Sequence, residues 1–340
     1  MLRSSITVAI MAGVAALSIA VPAANAETPA LTPTVKERLA GNDRFATAVA
    51  VSASAYPTTA PVVYLTSGVN FPDALSAGPV AATQGGPVLL TKWDQVPAVT
   101  TAEIKRLAPE KIVLVGGPAA LAPSVEKQMT SLAARVVRVA GADRYDTSRQ
   151  LAEATFAGPV STLYLATGKD YPDALSAGAA AAATGGPVLL VYGEADRLDA
   201  ATVATVKKLA PGKLLIAGGP AAVSDGILAH AKSIVPASSR VAGWDRFTTS
   251  AAIADTFGNA AHAYLASGWD FPDALVGAAL AGKSGEPLYV TMPHCQPFEI
   301  THSARELGVT SMTIIGGSQS VADSVMSPND YCPVPGPPTP

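Results

Sequence analysis

Residues Phe71 to Gly78 read FPDALSAG, and nearly the same words return as YPDALSAG from Tyr171 to Gly178 and as FPDALVGA from Phe271 to Ala278. A leader precedes each copy at a matching offset: AGNDRFATA from Ala40, AGADRYDTS from Ala140 and AGWDRFTTS from Ala242. A trailer follows each: VLVGGPAAL from Val113, LIAGGPAAV from Leu215 and TIIGGSQSV from Thr313. Asp73, Asp173 and Asp273 stand one hundred residues apart. A solenoid unit repeats every ~20–50 residues, so each copy is a small domain rather than a thin stacking layer.

Within a copy, apolar strands alternate with helices. RVVRVAG from Arg135 reads as a strand ending in glycine. Tyr145, Ser148, Ala152 and Phe156 then recur at helical spacing, with Asp143 placed to accept orphan N–H groups at the helix start. The strand TLYLAT from Thr162 matches VVYLTS and HAYLAS, and the PDAL helix after it carries proline in its first turn, where a missing N–H costs nothing. Gly85 and Gly185 stop that helix ahead of a short apolar strand. In TAEIKRLAP from Thr101, Ile104 and Leu107 face inward while Lys105 and Arg106 face out. A KIVLVGG-type strand follows, then a last helix beginning near Pro123, Ser224 or Ala322.

Apolar runs without alternation, separated by helices, predict parallel strands covered on both faces. The predicted fold is α/β: three tandem open parallel-sheet sandwiches, spanning 35–134, 135–236 and 237–327. Nothing resembling a linker separates them, so they are expected to pack on one another as an intramolecular pseudo-trimer, a monomer in solution.

The ends are written differently. Residues 1–26 carry Arg3, an apolar stretch from Ile6 to Val21 and Ala24-Asn25-Ala26, which reads as a secretory signal peptide. A retained anchor is the competing reading, and the Ala-x-Ala site decides for cleavage after Ala26. No later run is long and apolar enough for a membrane span. Residues 328–340 end in CPVPGPPTP and read as an extended Pro-rich tail. With 49% hydrophobic and 14% charged residues the chain is core-rich, and a net charge of −3 offers no basic face for nucleic acid.

Several residues invite a functional reading. Arg44, Arg144 and Arg246 follow Gly-x-Asp in the leaders; they either grip a phosphate or carboxylate bidentately or clamp their own helix. Gly116-Gly117, Gly218-Gly219 and Gly316-Gly317 lie between a strand and a helix, as an anion nest or, preferably, a tight turn. No Walker lysine or GxGxxG accompanies them.

Asp73, Asp173 and Asp273 suit a first helical turn. Asp170 and Asp270 have Asn70 as their counterpart, an exchange that a catalytic carboxylate would not tolerate. No nucleophile–base pair breaks the symmetry, so no catalytic residue and no cofactor is assigned. His294, Cys295, His302 and Cys332 are zinc-type ligands at non-zinc spacing; a Cys295–Cys332 disulfide is the preferred reading, with no metal. Trp244 and Trp269 replace Asn or Ala and Val or Lys of the other copies, as sugar-stacking rings or as local packing.

Three tandem copies of R-x-A-G-x-D-R-[FY], [FY]-P-D-A-L and [VAI]-G-G, spanning roughly 35–325, resemble the cell wall binding repeat 2 family of exported Gram-positive proteins. The resemblance implies a three-lobed pseudo-trimer held non-covalently to anionic cell-wall polysaccharide or a teichoic-acid-like polymer. A secreted, non-catalytic protein of the cell wall or surface is therefore expected. The resemblance implies that relatives often add an amidase, protease or adhesin domain; none is expected in this sequence, which shows no zinc-amidase ligand set. An amidase-related wall hydrolase and a protein-binding surface scaffold are the alternatives. Val276-Gly277 for Ser-Ala, Glu286 for Gly and Ser318 for Pro mark the third copy as the most divergent.

Overall fold

The computed structural model describes residues 33–326 and 331–332. The signal-peptide assignment, residues 1–26, and the Pro-rich tail other than 331–332 lie outside the described residues.

The first copy runs β1 (Thr34–Leu39), α1 (Arg44–Ala55), β2 (Val62–Ser67), α2 (Ala77–Thr83), β3 (Val88–Thr91), α3 (Ala98–Leu107), β4 (Lys111–Val115) and α4 (Pro123–Met129). The second repeats it as β5 (Arg135–Val139), α5 (Arg144–Thr155), β6 (Thr162–Thr167), α6 (Pro172–Ala183), β7 (Val188–Val191), α7 (Ala200–Leu209), β8 (Lys213–Ala217) and α8 (Asp225–Ile234). The third has β9 (Ser238–Val241), α9 (Arg246–Ala254), β10 (His262–Ser267), α10 (Pro272–Ser284), β11 (Leu288–Thr291), β12 (Gln296–Pro297), α11 (Phe298–Glu306) and β13 (Ser311–Ile315), with β14 (Tyr331–Cys332) beyond it. Where a last helix was expected near Ala322, a 3-10 turn over Asp323–Met326 stands instead.

Three four-stranded sheets form, ordered β3-β2-β4-β5, β7-β6-β8-β9 and β1-β13-β10-β11, and every pairing is parallel. The central strands read as unbroken apolar runs because both faces are covered: Leu65, Leu165 and Leu265 are each at 0% exposure. Burying each contributes roughly 2 kcal/mol.

Sheet and copy are out of phase by one strand. Leader strand β5 of the second copy closes the first sheet, β9 of the third closes the second, and β1 at the start of the chain closes the last. The three lobes are thereby laced into a ring.

The PDAL helices α2, α6 and α10 pack on one another at its centre. Their small residues allow close approach: a Cβ on Gly282 would lie 2.3 Å from the Ala182 Cβ. The first copy departs here. Pro72 and Asp73 lie in a turn, and α2 begins only at Ala77. Pro79, which replaces Ala179 and Ala279, is the cause. Proline cannot donate to the carbonyl of Leu75 and its ring crowds it, so the helix starts late enough to hold Pro79 in its first turn.

Candidate functional site

The leaders, PDAL turns and double glycines meet at the carboxyl ends of the strands, where ligands of open α/β sheets bind. Asp43, Asp143 and Asp245 cap α1, α5 and α9, accepting from the N–H of Ala46, Asp146 and Thr248 at 2.8 Å. The leader glycine makes this turn possible, since a Cβ on Gly41 would stand 2.3 Å from that of Ala46. Each cap presents an arginine to the neighbouring copy.

Nη1 of Arg44, Arg144 and Arg246 donates to the carbonyl of Gly68, Gly168 and Gly268 in its own copy. The guanidinium then lies over an aromatic ring of the preceding copy: Arg144 over Phe71 at 5.9 Å, Arg246 over Tyr171 at 5.7 Å, and, closing the ring, Arg44 over Phe271 at 5.9 Å. The three rings converge, with centroids 5.4 Å (Phe71–Tyr171), 5.9 Å (Phe71–Phe271) and 6.2 Å (Tyr171–Phe271) apart. Cation–π and edge-to-face contacts of this kind tie all three copies together.

Two of the arginines are paired. Arg44 Nη2 lies 3.2 Å from Asp270 Oδ2, and Arg246 Nη2 lies 3.5 Å from Asp170 Oδ2. These are clamps between copies. At the first junction, between the first and second copies, the counterpart of the aspartate is Asn70, and Arg144 has no ion pair among the described residues.

The double glycines are tight turns. Gly116, Gly218 and Gly316 take φ of 113°, 107° and 113°, and their N–H groups already bond to Val139, Val241 and Leu39. The carbonyls of Gly117, Gly219 and Gly317 accept from residues three and four further on. A carboxylate of the PDAL motif is drawn against each first glycine: a Cβ there would stand 2.9, 2.4 and 2.4 Å from Oδ2 of Asp73, Asp173 and Asp273. Burial pushes the Asp173 carboxyl up to about 6, and the negative charge of Asp170 adds to the rise. Burial likewise pushes Asp273 up to about 6, against a hydrogen bond from Ser320. Desolvation thus outweighs the helix N-terminus, which favours the carboxylate at this position.

Clefts open where one copy's PDAL turn faces the next leader. The cleft between the second and third copies, about 340 Å³, is lined by Asp170, Asp173, Glu194 and Asp245 against Lys169 and Arg246, with Gly219 and Trp244 on its wall. Its counterpart between the third and first copies has the same volume, about 340 Å³, with Asp43, Asp270 and Asp273 against Arg44 and with Gly317 on its wall. Carboxylates outnumber cations in both. Trp244 is 46% exposed and Trp269 is 55% exposed. Trp269 packs edge-on to Phe247 and under Arg246, and its carbonyl accepts from the Tyr171 hydroxyl. Local packing accounts for Trp269, while Trp244 borders open space.

Cys295 and Cys332 form a disulfide, and Gln296–Pro297 pairs in parallel with Tyr331–Cys332 beside it. His302 stacks on Phe298. Among the described residues no group of three or more His, Cys, Asp or Glu side chains stands close enough to hold a metal ion, and no helix is long and apolar enough to cross a membrane.

The earlier arginine of each leader also serves the site. Arg38, Arg138 and Arg240 donate to the carbonyls of Gly316, Gly116 and Gly218 and pair with Asp323, Glu126 and Asp225. Its recurrence in R-x-A-G was the available signal. Trp93, 54% exposed with Nε1 donating to Pro118, and Tyr192, 57% exposed, also border this face. Their counterparts in the other copies are Gly193 and Pro293 for Trp93 and Lys92 and Met292 for Tyr192, so the repeat does not pick them out.

Over 294 residues the chain is 27% identical to N-acetylmuramoyl-L-alanine amidase LytC of Bacillus subtilis, with 85% of this chain and 57% of that protein covered. It is also 27% identical over 292 residues to the Amidase enhancer of the same species, covering 86% of this chain and 39% of that protein. The chain therefore spans less than two thirds of either relative. Two solved structures share its architecture: Cwp6 from Clostridium difficile, with TM-score 0.80, 26% identity and coverage of 87% of this chain and 47% of that one, and Cwp8 from the same organism, with TM-score 0.76, 28% identity and coverage of 84% and 49%. Residues 38–126, 138–228 and 240–326 each match Cell wall binding domain 2, so that the three copies, laced by their leader strands and arginine clamps, make this chain a member of the Cell wall binding domain 2 (CWB2) family.

Proposed function

We propose that this protein is a secreted, non-catalytic module that attaches non-covalently to an anionic cell-wall glycopolymer as a monomer. The observation that carries the reading is the threefold recurrence, on one face, of an arginine over an aromatic ring, with clefts beside Arg44 and Arg246. A repeating surface suits a repeating ligand, and several weak contacts on one body give avidity ~10²–10⁴ beyond a single contact when the geometry permits. Non-catalysis is supported by the exchange of Asp170 and Asp270 for Asn70, since the recurring acid is absent from one station.

The excess of carboxylates in the two clefts favours a second reading, in which neutral or amine-bearing sugars of peptidoglycan enter them. Co-sedimentation with purified walls, before and after acid extraction of the anionic glycopolymers, separates the two. Retention lost on extraction supports the polymer, and retention that survives it moves the target to peptidoglycan. A protein not retained by either preparation refutes attachment. With a net charge of −3, attraction to a polyanion is local, so a modest loss of retention with salt is expected.

A further inference from the structure

We infer that anion recognition is concentrated at one of the three junctions, that between the first and second copies, where Arg144 binds a phosphate or carboxylate group. The inference rests on wall attachment and adds which station makes the anionic contact. Three arginines occupy equivalent places, each fixed by a glycine carbonyl through Nη1 and by an aromatic ring below. At two of them Nη2 is engaged by a carboxylate of the preceding copy, Asp270 at 3.2 Å or Asp170 at 3.5 Å. A polymer anion entering there must displace an aspartate that the fold supplies.

At Arg144 that competitor is missing, because Asn70 holds no charge. The guanidinium is nonetheless held in place by Gly168 and by Phe71, on a residue that is half-buried. The nearby Asp73 carboxylate lies against Gly116, and the Asp143 carboxylate accepts from the Asp146 N–H. An oriented guanidinium with no ion pair among the described residues is suited to an oxyanion, which it can grip through two parallel N–H bonds.

Asn70→Asp tests this directly, because it installs at the first junction the carboxylate that the other two possess. Full-length protein is assayed for retention on purified walls and for binding to poly(glycerol phosphate) and polygalacturonate, the phosphate and carboxylate probes. Asn70→Asp and Arg144→Gln are each expected to lower retention at least tenfold. Asp170→Asn, which releases Arg246, is expected to raise it. Thermal melting of each variant verifies the fold, and Asn70→Asp is expected to melt no lower than wild type. Preference between the two probes identifies the phosphate or the carboxylate as the group bound.

Retention of Asn70→Asp within twofold of wild type overturns the assignment while leaving wall attachment intact. If that variant does not fold, unchanged retention of Arg144→Gln overturns it equally. If wild type is not retained by walls but binds a soluble probe through Arg144 and Asn70, attachment fails and the assignment stands. Absence of binding to either probe and to walls overturns both.

Discussion

Replacing Asp173 by Asn should make this protein more stable near neutral pH. Asp173 sits in the first turn of α6, against Gly218, where burial and the charge of Asp170 push its carboxyl up to about 6. An unfolded chain holds an aspartate near ~3.9, so the difference of about 2 units corresponds to a ceiling of ~3 kcal/mol of destabilisation once the group is ionised. Asp173 is only half-buried, and solvent screening brings the expectation to about 1–2 kcal/mol.

The sign follows from the raised value. Below about pH 4 the carboxyl is protonated both folded and unfolded and contributes nothing. Between about pH 4 and pH 6 the unfolded chain releases the proton first, so stability falls, and above about pH 6 the penalty is constant. Asn keeps the shape and removes the charge. Urea denaturation should therefore show Asp173→Asn ahead by about 1–2 kcal/mol near pH 7.5, with the gap closing towards pH 4. A variant less stable than wild type near pH 7.5 would refute the reasoning, because the carboxylate would then be held by hydrogen bonds and the helix dipole more strongly than burial opposes it.

Three further outcomes are expected. Changing Cys295 and Cys332 to Ser opens a loop whose ends are 37 residues apart, and should lower stability by at most about 4 kcal/mol; an unchanged urea midpoint contradicts this. Arg106→Ala strands the carboxylate of Glu103, which is 4% exposed and bonded to Arg106 at 2.6 and 2.7 Å and to the Ser52 hydroxyl at 2.6 Å. It should cost about 3 kcal/mol, with Glu103→Gln in the same background recovering part of the loss. Pro79→Ala should let α2 extend back towards Pro72 as α6 and α10 do, raising hydrogen-exchange protection of the Ala77 and Gly78 amides; unaltered protection places the cause elsewhere.

What could be read from the sequence was whatever recurs. Asp143 as a cap, the buried Ile104 and Leu107, the parallel α/β grammar and the three copies all rest on periodicity or local backbone chemistry. The pairing of β5 with β4 was not legible, because a leader strand has the same apolar pattern whichever sheet it joins. Nor was the role of Arg44 and Arg246. A guanidinium beside a strand end looks alike whether it awaits a ligand or meets an aspartate more than seventy residues distant, and only the ring brings Asp270 to Arg44. Pro79 and Glu103 carry no signal that recurs: the first lies inside an otherwise copied helix, and the second gains its role only from Ser52 and Arg106 around it.

The one-strand offset between copy and lobe explains why the three stations need not be equivalent. Each leader also reaches into the preceding copy: Arg138 to Gly116, Arg144 to Phe71, and α5 to α2. A substitution in one copy therefore changes one junction and leaves the other two alone, as Asn70 does at the first junction without touching the pair of Arg246 with Asp170. The same offset makes a single copy a poor unit of function. Cut at 35–134, the first copy would lose β5 from its own sheet and expose the edge of β4. It would also leave Arg38 without Gly316 and Asp323. Stability requires all three copies, whereas recognition can be rewritten one junction at a time.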